Sequence, residues 1–297
     1  NAQQVREITD KLEQGLKELF ESERFKEYLK TMSKFYNYSF NNTLLIAMQK
    51  PDATLIAGYT AWQRNFDRHV MKGEKGIKIL APAPYKVQEE REKLDPATQK
   101  PVLDKDGKPV TETVEVTRPA FKVVSVFDVS QTDGKELPDI AVGELTGSVE
   151  NYAAFFDALK ELSPVPIAFE NITDGAKGYF SHVENRIAIQ EGMSEIQTIK
   201  TAIHEIAHAK LHAVTPGEKV APEDKKDRRT KEVEAESVAY TVCQRYGIET
   251  SDYSFGYIAG WSSDKETKEL KGSLETIRKT AAEMITGIDE KLKERLA

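Results

Sequence analysis

The stretch HEIAHAKLH, from His204 to His212, holds three of the five histidines in the chain, four residues apart and grouped around one glutamate. On a helix, four residues turn the chain by about 400° and advance it by about 6 Å, so His204 and His208 project the same way and can grip one ion. Zinc in a hydrolytic site takes three protein ligands plus a water whose pKa it lowers to roughly 7, and the glutamate of HExxH is placed to take the proton from that water. HEIAH has each part at the required spacing, with Glu205 as the general base. His212 lies about 12 Å along a continuous helix from His204, too far for both to reach one ion at about 2.1 Å. No glycine follows His208 to bend the chain, so His212 is expected to be structural or to support a ligand, and the third ligand must come from elsewhere.

The best source is the downstream helix KEVEAESVAY, which sets Glu232 and Glu236 four residues apart on one face with Glu234 pointing elsewhere. One carboxylate can bind the metal while the other accepts a hydrogen bond from the free nitrogen of a ligand histidine. Glu232 is assigned to zinc and Glu236 to the supporting position, with the reverse assignment left open. A bare HExxH also occurs by chance on ordinary helices. Three neighbouring features argue for chemistry here: the helix start Ser194-Glu195-Ile196-Gln197, the alternating strand GYFSHVENRIAI before it, and the ExxxE helix after it. An extended edge beside a metal can hold a peptide by strand addition, which points to amide hydrolysis of a protein or peptide.

The elements that must position these residues follow from periodicity. Apolar residues at Val5, Ile8, Leu12, Leu16, Leu19, Phe25, Leu29 and Met32 predict one amphipathic helix or two in series. HVMKGEKGIKILAPAPYKV predicts two short strands joined by a turn at Gly73 and Gly76, and AFKVVSVFDVSQT a strand pairing with Ile77–Leu80. Residues 88–118 are rich in charge, Pro and Thr and are expected to be a solvent-facing hairpin or a disordered insertion. Residues 131–146 have the composition of a linker. NYAAFFDALKEL predicts a helix and PIAFE a strand. Ile196, Ile199, Ile203, Ala207 and Leu211 form the expected buried stripe of the histidine helix, and further helices are expected over Lys231–Tyr246 and from Lys265 to the end. The fold class is therefore α+β in two domains, 1–130 and 147–297.

Residues 59–86 carry Arg64, Arg68, His69, Lys72, Lys75, Lys78 and Lys86 against only Asp67 and Glu74, interleaved with Tyr59, Trp62, Phe66 and Tyr85. Flat rings on which unpaired bases stack, beside cations that track phosphates, make a single-stranded DNA surface. Trp62, Arg64, Arg68, Lys72, Lys75 and Lys78 are its candidate residues. The competing reading makes Trp62 and Phe66 a core pair one helical turn apart and the lysines a solvated strand face.

The second half, on HEIAH, EVEAESVAY and GYFSHVENRIAI, resembles the zincin metallopeptidases with glutamate as third ligand, most closely the zincin-like domains of ArdC-type antirestriction and ImmA/IrrE-type proteins. The resemblance covers about residues 145–261 and implies zinc bound through His204, His208 and Glu232, with Glu205 as base. His182 and Tyr240 are weak candidates for stabilising an oxyanion. The first half, from YNYSFNNTLLIAMQKPDATLIAGYTAWQRNF through VMKGEKGIKILAPAPYK to VFDVSQT, is similar to the N-terminal domain of ArdC-like proteins of conjugative plasmids and transposons, which implies single-stranded DNA binding. The charged insertion at 88–118 departs from that pattern. An alternative keeps DNA binding and makes the zinc site purely structural.

Composition bounds the rest. A chain of 297 residues, 39% hydrophobic and 31% charged, is long enough for two domains. The net charge of -7 argues against a protein that coats nucleic acid over its whole surface. A single cysteine, Cys243, suits a reducing compartment, and no apolar run approaches the roughly 20 residues of a membrane span, so a cytoplasmic protein with no membrane partner is expected. The chain begins with Asn1 rather than Met in an already helical-looking segment, which leaves room for a preceding segment or a removed targeting signal.

Overall fold

The computed structural model describes residues 2–137, 149–213 and 226–296. The first apolar periodicity becomes two helices, α1 (Ala2–Leu19) and α2 (Ser22–Lys34), with Ile8, Leu12, Leu16, Leu19, Phe25, Leu29 and Met32 buried. Ser39 accepts a hydrogen bond from the Asn42 N–H at 3.3 Å and so starts α3 (Phe40–Gln49). There follow β1 (Ile56–Gly58), α4 (Tyr59–Phe66), β2 (Arg68–Val70), β3 (Ile77–Pro82), β4 (Tyr85–Glu92), β5 (Thr111–Arg118), β6 (Phe121–Asp128) and β7 (Thr132–Gly134). An antiparallel sheet has the order β1-β6-β3, with Ile77 opposite Val126, which is the pairing expected for β6.

Two expectations are corrected. The strands flanking Gly73 and Gly76 do not pair with each other: β3 pairs with β6, whereas β2 pairs with β7. Residues 132–134, assigned from composition to a linker, are thus part of a sheet. Arg68 is the physical reason, because its guanidinium donates to Thr132 Oγ1 at 2.8 Å and to the carbonyls of Thr132 at 2.9 Å and Lys135 at 2.6 Å, fastening the returning chain beside β2. Residues 138–146 of the expected linker lie outside the described residues. The charged segment 88–118 resolves into the hairpin alternative, β4 pairing with β5 from Tyr85 opposite Arg118 to Glu92 opposite Thr111.

Helix α3 closes the free edge of β3 with side-chain amides. Asn42 accepts the Leu80 N–H and donates to the Leu80 carbonyl, both at 2.9 Å, and Gln49 repeats the pair on Lys78, again at 2.9 Å. Two turns of helix thereby act as a surrogate strand, which satisfies an edge that otherwise invites another chain.

The second half begins with α5 (Val149–Leu162), then β8 (Ile167–Glu170), β9 (Gly178–Ser181) and β10 (Arg186–Gln190), then α6 (Glu195–His212), α7 (Arg228–Arg245), α8 (Ile258–Ser262) and α9 (Thr267–Leu296). Central strand β10 runs parallel to β8 and antiparallel to β9. Its Ile187, Ala188 and Ile189 are fully buried, as a strand covered on both faces requires. Ser194 caps α6, and Ile199, Ile203 and Ala207 are buried as expected; Ile196, in the first turn, is 49% exposed, and Leu211 is only half-buried. None of the described helices is long and apolar enough to cross a membrane.

The two halves share one apolar core. Phe20 packs edge-on to Trp261 at 5.9 Å between ring centroids and Phe25 to Phe255 at 5.2 Å, joining the first helices to the segment that follows α7. Replacing Asn42 by Leu strands the Leu80 N–H and carbonyl at this packed edge, and should cost about 1–3 kcal/mol in urea unfolding of the full chain. An unchanged midpoint would contradict the surrogate-strand role.

Candidate metal centre

Helix α6 holds its histidines in a row, and α7 crosses it so that Glu232 faces the first two. The Nε2 atoms of His204 and His208 are 3.0 Å apart, and Glu232 Oε2 lies 3.6 Å from each. Two imidazole lone pairs do not approach so closely without a cation or a proton between them. Four ligands arranged tetrahedrally at about 2.1 Å are separated by roughly 3.4 Å, so the three edges of this triangle fit one zinc-sized ion. Among the described residues, these three form the cluster able to hold a metal. The surrounding field also favours a cation. Burial disfavours the charged imidazole of His204, but Glu232, Glu205 and Glu236 outweigh that and hold it above its ordinary range. The two imidazoles facing Glu232 hold that carboxyl well below the usual carboxylate range.

Glu205 is buried on the same helix, and burial pushes its carboxyl up although His204 and His208 pull the other way. Strand β9 passes directly over it. A Cβ at Gly178 would lie 2.6 Å from Thr201 Cγ2 and 2.9 Å from the Ala188 carbonyl, so only glycine lets the strand rest this close to α6. Residues of β9 and the following His182 line a cavity of about 520 Å³ together with His204, Glu205, His208 and Glu232, while Lys226, Arg228 and Lys231 supply a basic rim. Among the described residues, no strand pairs with the outer edge of β9.

The supporting groups differ from those expected. Glu236 accepts a hydrogen bond from the Tyr257 hydroxyl rather than from a ligand histidine, and burial raises its carboxyl to about 7. Next to His208 the structure places His212, expected from the sequence to be structural or to support a ligand, and Glu234, expected to point elsewhere. His212 Nδ1 is 3.0 Å from His208 Nδ1, and His212 Nε2 is 3.1 Å from Glu234, a fully buried carboxylate. Glu234 stays ionised against its burial because His212, Lys226 and Ser273 all face it. The spacing of three histidines signalled His212, but nothing local in the sequence links Glu234 to Lys226 or to Ser273 of α9. Tyr240 is buried among Tyr253 and Phe255, away from the cavity, whereas His182 lines it. The charged segment before α7, which with Pro222 reads in the sequence as a surface loop, lies outside the described residues over 214–225.

The candidate DNA residues divide. Trp62 is fully buried, packs at a tilt against Phe66 with ring centroids 4.9 Å apart and donates its indole N–H to the Phe127 carbonyl at 2.9 Å, so it is a core anchor and not a face for bases. Arg68 is spent on β7, as described above. Arg64, Lys72, Lys75 and Lys78 are exposed, and so are Tyr59, Tyr85 and Phe121.

The raised carboxyl of Glu236 fixes a sign. A group whose folded value lies near 7, above its ordinary 4.5, contributes stability at low pH that is lost as the pH rises through 7. In chelator, Glu236→Gln should therefore stabilise the protein at pH 8 by on the order of 1–2 kcal/mol, allowing for its partial exposure, and by much less at pH 5. Equal effects at the two pH values, read by thermal unfolding, would contradict the assignment.

Comparison with known proteins finds a family match for each half of the chain. Residues 2–127 match the family described as the N-terminal domain of anti-restriction factor ArdC, and residues 163–246 match the Peptidase M78 family, described as an IrrE N-terminal-like domain. The chain is 28% identical, over 98% of its length, to an uncharacterized protein of Bacillus anthracis, pXO2-81, and spans 52% of that protein. It is 34% identical, over 47% of its length, to a DNA primase TraC of Escherichia coli, of which it covers 12%. The chain thus spans about half or less of the curated relatives it matches. Two crystal structures of the antirestriction ArdC protein from the R388 plasmid, one metal-free and one Mn(II)-bound, align with TM-score 0.48 and 21% identity over 86% of this chain and 83% and 84% of theirs. The two family models match in order along one chain, giving a two-domain α+β architecture in which an ArdC N-terminal domain over residues 2–127 precedes an IrrE-like, metallopeptidase-like domain over residues 163–246.

Proposed function

We propose that this protein is a mobile-element antirestriction factor that binds single-stranded DNA through its first domain, about residues 1–130, and hydrolyses a protein or peptide at a zinc centre in its second, about residues 147–297. The observation that carries the hydrolytic reading is the triangle of His204, His208 and Glu232 beside a buried carboxyl and the outer edge of β9, with which no strand pairs among the described residues. His204, His208 and Glu232 would hold a zinc ion, which would supply Lewis acidity toward a water and a carbonyl. The outer edge of β9 orients an extended peptide by backbone hydrogen bonds across the cavity. Glu205 accepts a proton from the attacking water at its carboxylate and returns it to the departing amide nitrogen. Its upward shift suits that exchange, since a base works best when its pKa approaches the working pH. Gly178 keeps the strand close enough for this, and His182, on the cavity wall, is the side chain best placed to donate to an oxyanion.

The DNA reading draws support from the exposed cations Arg64, Lys72, Lys75 and Lys78 and from the exposed rings of Tyr59, Tyr85 and Phe121 in the same domain. Cytoplasmic action follows if the DNA is the incoming strand.

Two outcomes test these proposals on the full chain. Glu205→Gln should lower peptidase turnover by at least about 100-fold while zinc stays bound, because general-base catalysis is worth roughly that much; undiminished turnover would contradict the mechanism. If no turnover is detectable in the wild-type protein and chelation only melts it, the centre is structural instead. For DNA, fluorescence anisotropy of a labelled single strand should show salt-sensitive binding, with the combined change of Lys72, Lys75 and Lys78 to Ala lowering the log–log salt slope by about 2. An unaltered slope would remove these lysines from the interface.

A further inference from the structure

The row of imidazoles on α6 continues past the two that face Glu232. His208 Nδ1 lies 3.0 Å from His212 Nδ1, and His212 Nε2 lies 3.1 Å from Glu234 Oε2. The side chains of His212 and Glu234 are 2% and 0% exposed, so water cannot stand in for either partner. Lys226 Nζ donates to both oxygens of Glu234, at 2.7 and 2.8 Å, and Ser273 Oγ donates to Oε1 at 2.8 Å.

These ends fix the sense of the chain. A carboxylate whose two oxygens are already acceptors can only accept, so His212 carries its proton on Nε2 and donates it to Glu234. The neutral ring then has its lone pair on Nδ1, where it accepts from a proton on His208 Nδ1. His208 in turn is left with a lone pair on Nε2, the atom 3.0 Å from His204 Nε2 and 3.6 Å from Glu232. That is the tautomer a metal ligand needs.

We propose that His212 and Glu234 are positioning residues that fix the tautomer and ring orientation of His208 through this directional chain, with Lys226 and Ser273 fixing Glu234. The proposal rests on the reading of His204, His208 and Glu232 as metal ligands. It differs from a purely structural role, in which the buried His–Glu pair would only join α6 to α7 and His208 would hold the metal equally well without it. Ser273 brings α9 into the arrangement, so three helices meet at one ligand.

The first test is a long-range nitrogen–proton correlation spectrum of the zinc-loaded full chain labelled at its five histidines. The expected result is His212 protonated on Nε2 and His208 on Nδ1. The opposite tautomer at His212 would overturn the proposal, and this measurement needs no variant. The second is zinc affinity by competition with a chromophoric chelator. His212→Phe should bind about 10–100-fold more weakly, the usual cost of removing the partner of a ligand histidine. Glu234→Gln, which keeps an acceptor oxygen, should lose less than Glu234→Leu. Wild-type affinity in folded His212→Phe would overturn the proposal while leaving the metal reading intact. Wild-type affinity in His208→Ala would instead overturn the metal reading itself.

Discussion

The contact between α6 and α7 sets imidazoles against carboxylates inside an otherwise apolar core, and burial makes each of those groups depend on another. An isolated carboxylate at the depth of Glu234 would carry a desolvation penalty of several kcal/mol. It is tolerated because His212, Lys226 and Ser273 all donate to it. Glu232, one helical half-turn away on the exposed side of α7, is tied in the same manner to His204 and His208. The polar seam therefore fixes how the two helices cross, and the crossing in turn fixes the triangle of donors. Glycine at 178 completes the arrangement by letting the edge strand lie on α6 without a side chain between them.

The first domain is joined to the second through packing and through a few polar contacts, Ser22 donating to the Ser254 carbonyl and Arg278 to the Tyr36 carbonyl at 3.5 Å. Phe20 and Phe25 rest on Trp261 and Phe255, and the same segment returns polar groups to α7: Trp261 donates to Thr230 at 3.0 Å and Tyr257 donates to Glu236. One core thus runs from α1–α3 to α7 and α9. A chain whose family domains share an interior does not offer separately folding halves at the boundary its sequence suggests. This continuity also explains why α2 carries so complete an apolar stripe, since that stripe covers α7 as well as α3, whereas α1 packs on α3 and β6.

Much of this was legible in the sequence, for identifiable reasons. Periodicity found α1, α2 and α6, the capping serine at 194 marked a true helix start, and the spacing of His204, His208 and Glu232 located the three donors. What failed was long-range. Trp62 looked like a stacking platform because residue type says nothing of depth, and its indole is fully buried on the Phe127 carbonyl. Arg68 looked like a phosphate contact because the carbonyls it serves lie more than sixty residues downstream. Glu236 was given the supporting role on helical phase alone. The structure brings Glu234, rather than Glu236, up to the histidine row, and that needed the position of Ser273 on a helix whose docking no local pattern states. The pairing of β2 with β7 escaped for the same reason, since a three-residue strand has too little sequence to announce itself.

The central claim is that one metal ion is held by two imidazoles and one carboxylate, with the third imidazole of the row outside the coordination sphere. X-ray absorption at the zinc edge of the full chain loaded with one equivalent tests it most directly. The account predicts nitrogen and oxygen scatterers at about 2.0–2.1 Å, multiple scattering from two imidazoles and no sulfur. Three coordinated imidazoles, or a zinc ion that fails to occupy a single defined site, would contradict it.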